Sequence, residues 1–169
     1  MDAALYEVRV ATPSDAAGII KCMQSVMSEK IYLVSEIYLY TERGQKDMLR
    51  NPDDLTLVSL IGGEVVGTMN ILRGFYKKNR HTGSLGIAVE AAHRGKGLGR
   101  RMIEEGIEWC RESGVSKLNL EVFSSNVGAI SLYERMGFTI EGERKGQFLV
   151  DGQFVNDVLM TIYPMEYKK

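Results

Sequence analysis

A mixed α/β sheet with helices on both faces is what this sequence predicts, on three observations. Segments with apolar residues at every second position alternate along the chain with segments in which they recur every three to four. Two-residue turn signals, Gly62-Gly63 and Asp151-Gly152, lie between apolar runs and predict hairpins. With 169 residues, 44% of them hydrophobic and 25% charged, the chain is long enough for one core, so a single domain over residues 1–169 is expected.

The elements follow in order. Tyr6 to Val10 alternates as a strand. Thr12-Pro13-Ser14-Asp15 supplies an N-cap, an N1 proline and an N3 carboxylate for a helix carrying Ile19, Ile20 and Met23. Met27 to Asn51 reads as irregular, with Tyr32, Tyr38 and Tyr40 among Glu29, Glu36 and Glu42. Leu55 to Ile61 and Val65 to Leu72 flank Gly62-Gly63 as a hairpin, and Gly83 to Val89 follows as a third successive strand. Leu98, Met102, Ile103, Gly106, Ile107 and Cys110 then form one apolar stripe, opposed by Arg100, Arg101, Glu104, Glu105, Glu108 and Glu112, with Gly114 as the stop. Leu118 to Phe123 is a strand, Ser124, Ser125 and Asn126 are cap formers, and Ala129, Ile130, Leu132, Tyr133 and Met136 fall at helical spacing. Gly137 sits where a left-handed C′ residue ends that helix, and Phe138 begins the next strand.

Composition sets outer bounds. Twenty-one basic and 22 acidic residues give a net charge of −1, so no general attraction to nucleic acid or to an anionic membrane follows. No apolar run approaches the ~20 residues that span a bilayer, and Met1-Asp2-Ala3-Ala4 lacks a signal pattern, so a cytoplasmic protein is expected. Cys22 and Cys110, with only His81 and His93, make no metal-ligand constellation; buried, reduced thiols and no metal are expected.

The chemistry concentrates between Leu85 and Arg100. A β-branched run stops at Arg94-Gly95-Lys96-Gly97-Leu98-Gly99-Arg100 and restarts as a helix. Glycines without Cβ let amides approach a ligand closely, and the helix N-terminus adds a positive potential, so an anionic, phosphate-bearing cofactor is expected. The dinucleotide pattern G-x-G-x-x-G fails at Arg100, and the Walker pattern fails because Gly97, not a hydroxyl residue, follows Lys96. What fits is Gln/Arg-x-x-Gly-x-Gly/Ala, filled by residues 94 to 99. In this turn the chain resembles the GNAT superfamily of acetyl-CoA-dependent N-acetyltransferases. A second match supports the resemblance: a glutamate on the following strand, an asparagine at the next helix start and a tyrosine further on, here Glu121, Asn126 and Tyr133.

The resemblance implies a largely antiparallel mixed sheet in which two neighbouring parallel strands splay apart around acetyl-CoA, the cosubstrate. It implies that Arg94, Gly95, Lys96, Gly97, Leu98, Gly99 and Arg100 cradle the pyrophosphate. It also implies that the backbone of Ile87, Ala88 and Val89 bonds the pantetheine arm, which Asn126 touches. The tail from Glu141 to Met160 is similar to members acting on polyamines, ribosomal-protein amino termini or amine-bearing antibiotics.

Acetyl transfer from a thioester to an amine needs a neutral amine, a polarised carbonyl and a proton for the leaving thiolate. Tyr133, with an ordinary phenol pKa of about 10 against about 8.5 for a thiol, is the expected general acid, against the alternative of a core tyrosine. Strand alternation sets Asn119, Glu121 and Phe123 on one face; if that face is the cleft, partial burial raises the Glu121 carboxylate toward a working base. A solvated Glu121, or one paired with Arg or Lys, is the alternative, and Glu90 is the second candidate base. Acidic and aromatic groups between Met27 and Asn51 suit a cationic amine, although an amphipathic helix explains them as well. The expected function is acetyl transfer to a primary amine such as a polyamine-like metabolite or an antibiotic. Protein amino-terminal or lysine acetylation, a non-catalytic acyl-CoA sensor and an unrelated nucleotide-binding domain are the alternatives. A homodimer stays open.

Overall fold

A computed structural model describes residues 5–166, and Met1 to Ala4, where the signal pattern was sought, lie outside them. Strand β1 (Tyr6–Val10) leads through a 3-10 turn into helix α1 (Ala16–Ser28), and α2 (Glu42–Leu49) follows. Next come β2 (Leu55–Ile61), β3 (Glu64–Arg73) and β4 (Thr82–Val89), then α3 (Leu98–Ser113), β5 (Lys117–Phe123) and α4 (Val127–Arg135). A long hairpin of β6 (Thr139–Val150) and β7 (Gln153–Ile162) closes the fold. Its turn is the one Asp151-Gly152 predicts, with positive φ at both residues (48° and 75°). The stretch expected to be irregular contains α2, whose Thr41 cap accepts from the Gly44 amide at 3.1 Å. Among the described residues no helix is long and apolar enough to cross a membrane.

One seven-stranded sheet has the order β1-β2-β3-β4-β5-β7-β6. All neighbours are antiparallel except β4 and β5. Paired residues share a face, so register assigns each side chain to one side of the sheet. Leu57, Met69 and Ile87 lie on one face, continued by Leu118, Leu120 and Val122. Buried Met102, Ile103, Ile107 and Cys110 of α3 cover it, together with Ala129, Ile130, Leu132, Tyr133 and Met136 of α4. Gly106 lets α3 lie close, because a Cβ there would meet Met69 Cε at 2.6 Å. The other face carries Val58, Thr68 and Ala88 under α1, where Ile19 packs with Val58 and Leu60.

The parallel seam positions the site. β4 and β5 pair only from Thr82–Ser84 to Lys117–Asn119. Beyond it, β4 stays bonded to β3 up to Val89 and β5 to β7 up to Phe123, so the two strands diverge inside an otherwise continuous sheet. Backbone groups along both sides of that wedge lack a strand partner and need one of another kind.

Candidate active site

At the wide end of the wedge the chain leaves β4, makes a 3-10 turn at Ala91–His93 and enters α3 through the glycine turn. Gly95 and Gly97 have φ of +73° and +79°, and a Cβ on either would meet nothing within 4 Å. The space over these amides is therefore open. Gly97 is the N-cap of α3, no side chain caps the helix, and the first bond of its opening turn runs from the Arg101 amide to the Gly97 carbonyl at 3.1 Å. The amides before Arg101 point outward at the positive end of a 16-residue helix, as an anion receptor requires.

The basic side chains of the turn divide. Arg94 donates through Nε to the Val89 carbonyl (2.8 Å) and through both Nη atoms to Glu29 (2.8 and 2.5 Å), with Tyr32 5.6 Å from the guanidinium. Its guanidinium is paired at the C-terminal end of α1, and its backbone remains part of the turn. Lys96 donates to the Tyr6 hydroxyl at 3.0 Å, and Tyr6 meets His93 at 3.0 Å, so β1 holds Lys96 beside the nest. Arg100 is exposed and donates to Glu104 at 2.9 Å. The Leu98 side chain is buried as an anchor in the core, while its amide belongs to the turn.

The other sequence-predicted residues are divided between the two faces of the sheet and its edges. Tyr133 lies on the α3 face, 7% exposed, its ring 5.9 Å from Phe138. Burial pushes its phenol up to about 12, above the sequence expectation of about 10, because an apolar shell opposes the phenolate. Ser59 Oγ is the fully enclosed side-chain polar atom without a partner among the described residues; the Tyr133 hydroxyl is not enclosed in that way. Asn126 caps α4, its Oδ1 accepting from the Ala129 amide at 3.3 Å. Glu121 lies on the opposite face with Ser84 and Asn119, bordering a cavity of about 390 Å³ at the divergence of β4 and β5. The partial burial expected of Glu121 is absent: its side chain is 59% exposed, and it accepts from Arg144 Nη1 at 3.3 Å. Glu90 is close enough to Cys22 of α1 to disfavour that thiolate, second to burial, which places it toward α1.

Three acids expected to meet a cationic amine are paired within the chain. Glu29 holds Arg94, Glu36 lies 3.4 Å from Lys30, and Glu42 accepts from Lys46 at 2.6 Å. Tyr32 covers Arg94, and Tyr38 donates to Gln45 at 2.5 Å. Sequence reasoning missed Arg144 and Asp157, which adjoin Glu121. Asp157 is buried on β7 and accepts from Arg144 Nη1 at 2.5 Å. A lone carboxylate inside Val155-Asn156-Asp157-Val158-Leu159-Met160 was the available signal, since a buried charge requires a partner.

A model of the acetyltransferase (GNAT) family matches residues 21–138. The chain is similar to the L-amino acid N-acetyltransferase AaaT of Escherichia coli (strain K12), at 32% identity over 118 residues that cover 69% of this chain and 73% of that protein. It is similar to the acetyltransferase of GNAT family from Streptococcus pneumoniae, with TM-score 0.88 and 30% identity over 94% of this chain and 99% of that one. A structure of yncA from Salmonella typhimurium with its cofactor acetyl-CoA shares the fold, with TM-score 0.86 and 21% identity over 98% and 97% of the two chains.

Proposed function

This chain belongs to the acetyltransferase (GNAT) family and is an acetyl-CoA-dependent N-acetyltransferase, and we propose that it passes the acetyl group directly to the primary amine of a small metabolite. The observation that carries this reading is the wedge between β4 and β5 with the glycine turn at its wide end; Tyr133 lies on one side of the sheet and Glu121 on the other. An amide-bearing pantetheine arm satisfies the unpaired edges of Ile87, Ala88 and Val89 as a strand would. The turn from Gly95 to Gly99 holds the diphosphate through amides, with Lys96 and Arg100 adding charge. Asn126 serves twice, as the α4 cap and as a contact to the arm.

In this arrangement the thioester reaches the wedge from the α3 face and the amine from the α1 face. Glu121 takes a proton from the ammonium, directly or through water, and the amine nitrogen attacks the thioester carbon. As the carbon–sulfur bond breaks, Tyr133 supplies the proton to the departing thiolate, and the second proton lost by the nitrogen returns to the phenolate through water. Burial keeps the phenol protonated at neutral pH, and Glu121 meets its substrate from the solvent side. An amino-acid acceptor, as in the name of the Escherichia coli relative, is compatible with this geometry.

Glu121→Gln tests the base. Steady-state thiol release at pH 7.5 should fall about 10²-fold in kcat/KM for the amine, with acetyl-CoA affinity within twofold of the parent protein. Unchanged turnover would remove Glu121 from the mechanism.

A further inference from the structure

Resting on that acetyl-transfer reading, we propose that Arg144 is a receptor for a carboxylate on the acceptor, so that the acceptor is an α-amino acid or a close zwitterionic relative rather than a polyamine. Asp157 fixes the guanidinium from below: its carboxylate side chain is only 2% exposed and accepts from Nη1, while the same Nη1 reaches Glu121. Strand register enforces the arrangement, because Arg144 on β6 lies directly opposite Asp157 on β7. Two of the five guanidinium donors are thereby used, both on one nitrogen.

The remaining edge carries the specificity. Among the described residues, no hydrogen bond engages Nε or Nη2, and the Arg144 side chain is 48% exposed. Nε–H and the adjacent Nη2–H are parallel, and that fork matches the two oxygens of a carboxylate. An α-amino acid holds its nitrogen and its carboxylate carbon about 2.5 Å apart, from bonds of about 1.5 Å. Glu121 and Arg144, 3.3 Å apart, form adjacent receptors of opposite sign on that scale.

The surroundings favour a zwitterion over a polycation. Glu29, Glu36 and Glu42, the acids the sequence offers for a cationic amine, are paired with cations of the chain itself. Arg144 would repel a further positive charge placed beside Glu121. The cavity wall adds Ser84 and Asn119, and Asn119 accepts from Thr161 at 3.0 Å through its oxygen, which leaves its NH₂ group as a donor. Donors therefore flank Glu121, the one carboxylate of the cavity wall, while Asp157 lies buried beneath Arg144.

The test compares each L-amino acid of a panel with its carboxamide and its decarboxylated amine, at saturating acetyl-CoA, by thiol release. For the amino acid that turns over best, kcat/KM should exceed that of the matching amine about 10- to 100-fold, the range of a charge-assisted hydrogen bond. In Arg144→Lys, which keeps a cation for Asp157 but loses the fork, that ratio should collapse to within about threefold. A ratio of two substrates on one preparation does not depend on the folded fraction. Equal kcat/KM for acid and amine, a preference for polyamines, or a ratio unchanged in Arg144→Lys overturns the proposal. Calorimetric binding of the same pairs to the CoA-saturated protein separates the two readings. Amino acid bound in preference to amine without any thiol release sinks acetyl transfer and keeps the carboxylate receptor. Equal binding, or none, sinks the receptor.

Discussion

Replacing Tyr133 by Phe removes one oxygen from the buried face of the wedge, and the structure sets how much should change. The ring keeps its place against Phe138, 5.9 Å away, and in the apolar cluster that joins α4 to β5. No hydrogen bond within the described residues is lost, so folding stability should shift by less than about 1 kcal/mol. The chemical step should suffer far more. A positioned general acid is worth about 10²- to 10⁴-fold, or about 2.7–5.5 kcal/mol of barrier. Because burial holds the phenol near 12, it stays protonated throughout the working range, and the loss should be the same at pH 6.5 and at pH 9. Thiol release at saturating substrates gives kcat, and calorimetry gives acetyl-CoA affinity, expected within twofold of the parent. An unchanged kcat, or a tenfold weaker affinity with kcat preserved, would return Tyr133 to a packing role and refute the assignment.

Gly97→Ala should cost about 1 kcal/mol of stability for a left-handed φ of +79°, with no internal clash, yet weaken acetyl-CoA about tenfold or more because the methyl enters the open space over the amides. A thermal melt and a titration separate the effects, and an unaltered affinity would count against the nest. Burial pushes the Cys22 and Cys110 thiols up to about 12 from an ordinary 9, so both should react slowly with a disulfide reagent at pH 8 in the folded protein. The same shifts fix the sign of alkaline stability. The native state holds these protons while the unfolded chain releases them, so stability is full below about pH 9 and falls as pH rises toward 12. Urea midpoints at pH 8 and pH 10.5 should differ in that direction, and a flat profile would contradict it.

Much of the fold was legible because its signals are local. Asp151-Gly152 demands a tight turn and obtains it, and Gly114 and Gly137 end their helices with φ of +79° and +97°. The glycine turn and Asn126 were legible for the same reason: capping and backbone freedom are decided within a few residues. Helix α2 is short and polar, with only Gln45 buried, so no apolar stripe fixes its bounds, and an amphipathic helix between Met27 and Asn51 stands in the sequence only as an alternative. Side-chain partners across the sheet escaped for a different reason. The partner of Arg94 is Glu29, 65 positions away, which takes both ends of its guanidinium. Glu121 reads as a partly buried carboxylate until β6 brings Arg144 beside it at the exposed rim of the cavity, a consequence of a strand order in which β7 intervenes between β5 and β6. The divergence of β4 from β5 was expected only through the family resemblance, since no run of residues in either strand encodes a missing partner.

The central claim is that the wedge beyond Ser84 and Asn119, together with the turn at its mouth, holds acetyl-CoA through backbone groups. Amide hydrogen exchange of the protein with and without saturating acetyl-CoA measures those groups directly. Protection should appear in residues 85–89 and 95–100 and be weak in β1, β2 and the distal β6–β7 turn. Binding of acetyl-CoA with protection centred elsewhere, and none at Gly95 to Gly99, would contradict the account.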